Sequence, residues 1–208
     1  MELGRSPFGM PEAEVMLSSH LKIWRITYCK RWSREVALKL YGGARSRASI
    51  VQWYLEELGI PYQFVLLDMQ SGEHLQPEYL KINPVGKVPA IVDGDFQLWE
   101  SGAILVYLAD KYGHAGKSPE EQATLVQWVL FANATFGPGI FIESNRDREL
   151  GRLMKPLNQI FSSHPFLLGQ EFTVADVAVG SMLAYSQIML KLDLGEYPAV
   201  VELSLIHI

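Results

Sequence analysis

The sequence predicts an α/β half of βαβ-ββα order followed by an all-α half, and three observations carry that reading. Short apolar runs flank one helical period between Val36 and Leu67. A hairpin signal, Asp93-Gly94-Asp95, is followed at once by a second helical period. Beyond Gly113 the apolar residues recur at helical spacing alone, with no further strand pattern.

The first element is the apolar run Val36 to Tyr41, a buried strand that Gly42 and Gly43 break. Ile50, Val51, Tyr54, Leu55 and Leu58 then repeat at helical spacing, Gly59 ends that helix, and Pro61 blocks its continuation. Gln63 to Leu67 reads as a second strand, and strand, helix, strand at this spacing is a right-handed parallel unit. A polar stretch with a short helix around Pro77 to Lys81 leads to the strands Val88 to Val92 and Phe96 to Trp99. Ile104, Leu105, Leu108 and Tyr112 mark the helix that closes this half at Gly113. That order is the thioredoxin arrangement, which by itself says nothing of function.

In the second half, Ser118-Pro119-Glu120-Glu121 is a helix start. Leu125, Trp128, Val129 and Ala132 follow at helical spacing until Gly137-Pro138-Gly139, which reads as a break. A helix over Arg146 to Phe161 carries Pro156, which should kink it. Thr173 and Asp176 fit a capping box, with Phe172 and Val177 as the staple around it, ahead of a nearly all-apolar helix over Val177 to Leu190. The resulting organisation is an extension over 1–37 read as disordered, an α/β domain over 38–113 and an incomplete all-α domain over 118–202. The last residues, Leu203-Ser204-Leu205-Ile206-His207-Ile208, resemble the translation of a sequencing-adapter end and are expected to be artefactual.

Composition narrows the function classes. Of the 208 residues 49% are apolar and 20% charged, the balance of a globular protein with an ample core. A net charge of −5 argues against nucleic acid as a partner. No apolar run approaches the ~20 residues a membrane-spanning helix needs. A single cysteine, Cys29, permits neither an internal disulfide nor a cysteine zinc site and points to a reducing, cytoplasmic setting.

Two features carry chemistry. Pro89 opens a strand, where proline removes a ladder donor; the alternatives are an edge strand or a cis Val88-Pro89 bond that leaves the Val88 backbone to pair with an extended ligand. Glu100-Ser101 stands at a strand-helix junction, either as a plain N-cap or as an anion site with a carboxylate beside it. A ligand bearing both an α-carboxylate and an α-ammonium satisfies the second pair, so an amino-acid head group is the natural candidate.

Four segments in order, Gly72-Glu73-His74, Asn83-Pro84-Val85-Gly86-Lys87-Val88-Pro89-Ala90, Asp93-Gly94-Asp95 and Glu100-Ser101-Gly102-Ala103-Ile104, resemble the glutathione-binding half of glutathione transferases. They are most similar to the phi and related bacterial types, while Leu40-Tyr41-Gly42-Gly43-Ala44-Arg45-Ser46-Arg47 and the compact size resemble the chi class; the likeness spans Leu38 to Glu202. It implies glutathione as co-substrate, a small hydrophobic electrophile, a detoxification role, a homodimer and a helical-bundle second domain. Val88 and Pro89 would serve the cysteinyl moiety, Glu100 and Ser101 the γ-glutamyl end, and His74 and Lys87 the glycyl carboxylate.

The thiol donor must lie in the turn after the first strand. Lowering a thiol pKa from about 8.5 by two units takes roughly 2.7 kcal/mol of preferential thiolate stabilisation. Ser46, in the place of the family's catalytic serine, is the first candidate and Arg45 the second; Arg47 reads as a solvated charge and Ser49 as a helix cap. No cysteine occupies this turn, which disfavours disulfide reduction. Conjugation of glutathione to small apolar electrophiles, with peroxide reduction beside it, therefore competes with a non-catalytic binding or scaffolding role. Trp128, Phe131, Phe136 and Phe141 are candidates to line the electrophile site or simply to fill the core.

Overall fold

The computed structural model describes residues 37–113 and 116–206, with side chains as far as 202; residues 1–36 of the expected extension, Cys29 among them, and the side chains of the terminal hexapeptide lie outside them. Strand β1 (Leu38–Gly42) is followed by helix α1 (Ala48–Glu57) and strand β2 (Gln63–Leu66). A 3-10 turn (Glu73–Leu75) and the short helix α2 (Pro77–Leu80) lead to β3 (Ala90–Asp93), β4 (Phe96–Trp99) and helix α3 (Ser101–Tyr112). The sheet order is β2-β1-β3-β4, with β1 and β2 parallel and the other pairs antiparallel. This is the expected thioredoxin-like half, except that β3 begins two residues late. The Val88-Pro89 bond is cis, and Pro89 has no N–H to give to the ladder.

The helical half comprises α4 (Pro119–Leu130), a π-helical turn (Phe131–Phe136), α5 (Gly137–Phe141), α6 (Glu143–Ser163), α7 (Val174–Leu190) and α8 (Pro198–Ile206). Ser118 caps α4 by accepting the Glu121 N–H at 3.2 Å, as its sequence implies. The expected break at Gly137-Pro138-Gly139 is instead a change of helical register. The chain stays helical through the π turn, and Pro138 falls in the first turn of α5, where a missing N–H costs little. Likewise α6 runs through Pro156, which faces solvent.

One continuous core joins the halves. Leu40, Leu55, Ile91, Leu105 and Leu108 on the sheet side are buried in the same cluster as Met154, Leu157, Met182 and Leu183. Trp53 of α1 packs against Gly180 of α7, where a Cβ would lie 3.2 Å from its ring. Close packing there keeps α1, whose N-terminus borders the site, fixed against the helical half. Among the described residues no helix is long and apolar enough to cross a membrane.

A polar knot holds β3 to α3. The Asp93 carboxylate accepts bonds from Lys111 Nζ at 2.6 Å, Tyr112 at 2.8 Å and Tyr107 at 2.9 Å. Burial pushes the Asp93 carboxyl up, but these three donors outweigh it and hold it below its ordinary range. A lowered folded value stabilises the fold above the unfolded pKa of about 3.9 and is lost as pH falls through the folded value. Asp93→Asn is expected to cost about 2 kcal/mol near neutral pH, the half-exposed Lys111 limiting the effect. The difference in melting temperature between parent and variant should shrink as the pH is taken below 4; an unchanged gap at acid pH would disprove the charge contribution.

Candidate functional site

Register brings the candidate residues to one end of the sheet. Ala90 pairs with Tyr41 on one side and with Trp99 on the other. Gly42 and Gly43 follow Tyr41, Val88 and Pro89 precede Ala90, and Glu100 and Ser101 follow Trp99, all at that one end. The turn after β1, the Val88-Pro89 backbone and the start of α3 therefore lie at the same end of the sheet.

The loop before Pro89 is closed by its own side chains. Asn83, buried, donates through Nδ2 to the Lys87 carbonyl at 2.6 Å and accepts the Val85 N–H at 3.0 Å. Tyr79 donates to the same Lys87 carbonyl at 2.6 Å. Two side-chain donors thus converge on the Lys87 carbonyl and hold the peptide that enters Val88. Burial pushes the Tyr79 hydroxyl up to about 12, which keeps it a donor across the physiological range. Neither residue was a candidate in the sequence; the Asn-Pro motif was the available signal for Asn83, and nothing local marks Tyr79.

His74 sits in the 3-10 turn, entered through Gly72 at φ +78°. Gly86, at φ +66°, lets this turn meet the Lys87 loop, since a Cβ there would come within 2.9 Å of Leu75 and 3.2 Å of the His74 carbonyl. Among the described residues, His74 Nδ1 is the one buried side-chain nitrogen or oxygen without a hydrogen-bond partner. Such an atom is costly unless a ligand completes it.

At the start of α3 the cap differs from expectation. Glu100, not Ser101, is the N-cap, at φ +72°, and no side chain caps the helix. Ser101 is the first helical residue and is 4% exposed. A non-glycine residue with this φ costs on the order of 1–3 kcal/mol and persists where function or packing demands it. It leaves the first amides of α3 without a side-chain acceptor, the arrangement that favours an anion.

In the turn after β1 the Ser46 hydroxyl is engaged locally. It donates to the Gly43 carbonyl at 3.0 Å and accepts from the Gly43 N–H at 3.1 Å and the Ala48 N–H at 3.3 Å. Arg45 is exposed on the same turn. Two neighbours read as bland in the sequence have distant partners. Arg47 donates to Asn133 at 3.0 Å, and Ser49 shares a hydrogen bond with Tyr185. Of the aromatic candidates, Trp128 and Phe131 are half-buried in an edge-to-face pair, whereas Phe136 is fully buried core.

This geometry coincides with known proteins. The family model for the glutathione S-transferase N-terminal domain matches residues 36–110. The structure of glutathione transferase URE2P6 from Phanerochaete chrysosporium, in complex with oxidized glutathione, is 30% identical at a TM-score of 0.70, covering 84% of this chain and 91% of that one. The chain belongs to the glutathione transferase family. Two other transferases are similar. One, from Burkholderia graminis with two glutathione molecules bound per subunit, is 28% identical over 92% of each chain at a TM-score of 0.73. A delta-class glutathione transferase of Nilaparvata lugens is 27% identical at a TM-score of 0.72, covering 81% of this chain and 87% of the other. The four-stranded sheet and helical half are accordingly those of a transferase, and the sheet-end residues lie within the matched N-terminal segment.

Proposed function

We propose that this transferase binds glutathione at the end of its sheet and transfers the glutathione thiolate to small apolar electrophiles, with reduction of peroxides by the same thiolate. The observation that carries the reading is that the register of β1, β3 and β4 brings the turn after β1, the Val88-Pro89 segment before Ala90 and the Glu100-Ser101 junction after Trp99 to one end of the sheet. Each matches one part of the tripeptide. The Val88 backbone pairs with the cysteinyl moiety, Glu100 takes the α-ammonium, and Ser101 with the uncapped amides of α3 takes the α-carboxylate. His74, with its unpartnered Nδ1, and Lys87 receive the glycyl carboxylate. Pro89 holds Val88 outside the ladder.

The turn at Arg45 and Ser46 supplies the thiolate donor. Ser46 reaches the thiol by releasing its bond to the Gly43 carbonyl, while Arg45 acts as a cation. The protein works as a cytoplasmic homodimer in detoxification, and its electrophile lies against Trp128 and Phe131 at the face of the helical half.

Titration of bound glutathione by the ultraviolet absorbance of its thiolate tests the proposal. The bound thiol is expected to ionise one to two pH units below the free value of about 8.5. Ser46→Ala and Arg45→Ala, titrated in parallel, assign the donor by which one raises the value. Glutathione bound with an unshifted thiol would leave only a binding module.

A further inference from the structure

Arg47 is the exposed cation nearest the helix start of α1 that has a built partner in the other half of the molecule. Its Nη1 donates to Asn133 Oδ1 at 3.0 Å, across 86 residues of sequence. Asn133 in turn donates through Nδ2 to the Val129 carbonyl at 2.9 Å. A guanidinium only donates and a carbonyl only accepts, so the two bonds fix which way the amide points.

Three further features place this pair. Asn133 lies in the π turn, a widened helical register that recurs at functional sites. A Cβ on Gly102 would stand 3.1 Å from Asn133 Nδ2 and 3.1 Å from Val129, so the amide lies over the first turn of α3, beside Ser101. On the other side, a Cβ on Gly137 would be 3.7 Å from Arg47 Nη2, so the guanidinium lies between Asn133 and Gly137. Arg47 itself is the N-cap of α1, one residue beyond Ser46.

The chemistry of the partner matters most. Among the described residues the ion pairs are those of Lys111, Arg148 and Arg152. Arg47 is therefore held by a neutral amide and keeps its whole positive charge. A carboxylate at position 133 would still accept from Arg47, would lose the bond to the Val129 carbonyl, and would cancel that charge. A cation fixed without compensation is suited to an anion that arrives with a ligand.

We propose that Asn133, presented by the π turn, is a positioning residue that holds the uncompensated Arg47 guanidinium over the glutathione end of the site, where its field favours the bound thiolate. This rests on glutathione binding as proposed above and adds a residue of the helical half to the control of its thiol. Asn133 touches no reacting atom; it acts through Arg47.

The test compares the parent with Arg47→Ala, Asn133→Ala, Asn133→Asp and the double alanine variant. Each is followed by thiolate absorbance of bound glutathione and by calorimetric binding. Arg47→Ala and Asn133→Ala should each raise the bound thiol pKa by roughly half to one unit, and the double variant should raise it no further than Arg47→Ala alone. Asn133→Asp should raise it as much or more, by neutralising the guanidinium, and it preserves side-chain size should the alanine variant fold poorly. Additive effects in the double variant, or an unchanged thiol pKa in Arg47→Ala or in Asn133→Asp, would overturn the assignment. A parent that binds no glutathione would instead sink the proposed function itself, and this inference with it.

Discussion

Asp176→Ala is expected to lower the melting temperature by roughly 10 °C. Asp176 is 2% exposed and accepts from the Leu167 N–H at 2.7 Å, the Thr173 N–H at 2.8 Å and the Thr173 hydroxyl at 2.9 Å. Truncation leaves those donors buried without acceptors, at about 1–3 kcal/mol for each one that water cannot reach. A loss of about 3–5 kcal/mol in a domain of this size corresponds to a shift of that order. The capping box that Asp176 completes starts α7, the most deeply buried helix, so unfolding should begin there. Differential scanning fluorimetry decides it, with the exposed Glu171→Ala as control. A shift of under 3 °C would mean that the orphaned groups find other partners.

The second large effect is on binding. Glu100→Gln should weaken glutathione at least tenfold, because it removes the charge proposed to face the α-ammonium and hydrogen bonds to charged groups are worth about 1.5–3 kcal/mol. Glu100→Gly makes a sharper comparison. It removes the carboxylate and also relaxes the φ of +72°, so affinity should fall while thermal stability is kept or raised. Calorimetry and melting on the same samples separate the two effects. Unaltered affinity in both variants would remove Glu100 from the site.

What could be read in the sequence was whatever depends on neighbours along the chain. The βαβ-ββα order, the Ser118 cap and the Thr173–Asp176 box are local patterns of apolar spacing and short-range hydrogen bonds, and each formed where its residues stand. Strand pairing then brought the segments that carry Val88 and Ser101 to one end of the sheet. The cap of α3 was displaced by one residue, because the chain leaves β4 through Glu100 at positive φ, a conformation that residue type does not announce. Gly137-Pro138-Gly139 was misread as a break because proline and glycine signal termination only against an α-helical register; after a π turn, Pro138 falls in a first turn. Arg47 looked like a solvated charge because its partner, Asn133, is distant in sequence, and no periodicity encodes such a pair. The aromatic cluster divided as burial alone could decide, with Phe136 in the core and Trp128 with Phe131 nearer the surface.

The π turn has an evolutionary consequence. Phe131, on the aromatic face beside Trp128, and Asn133, the anchor of Arg47, belong to the same six-residue loop of helix. If the electrophile lies against Phe131 as proposed, any exchange that reshapes this turn to admit a different one also moves the amide that steadies Arg47. On the proposed roles of Phe131 and Arg47, substrate range and nucleophile reactivity would be mechanically linked, and a lineage drifting toward new substrates would have to retune its thiol at each step.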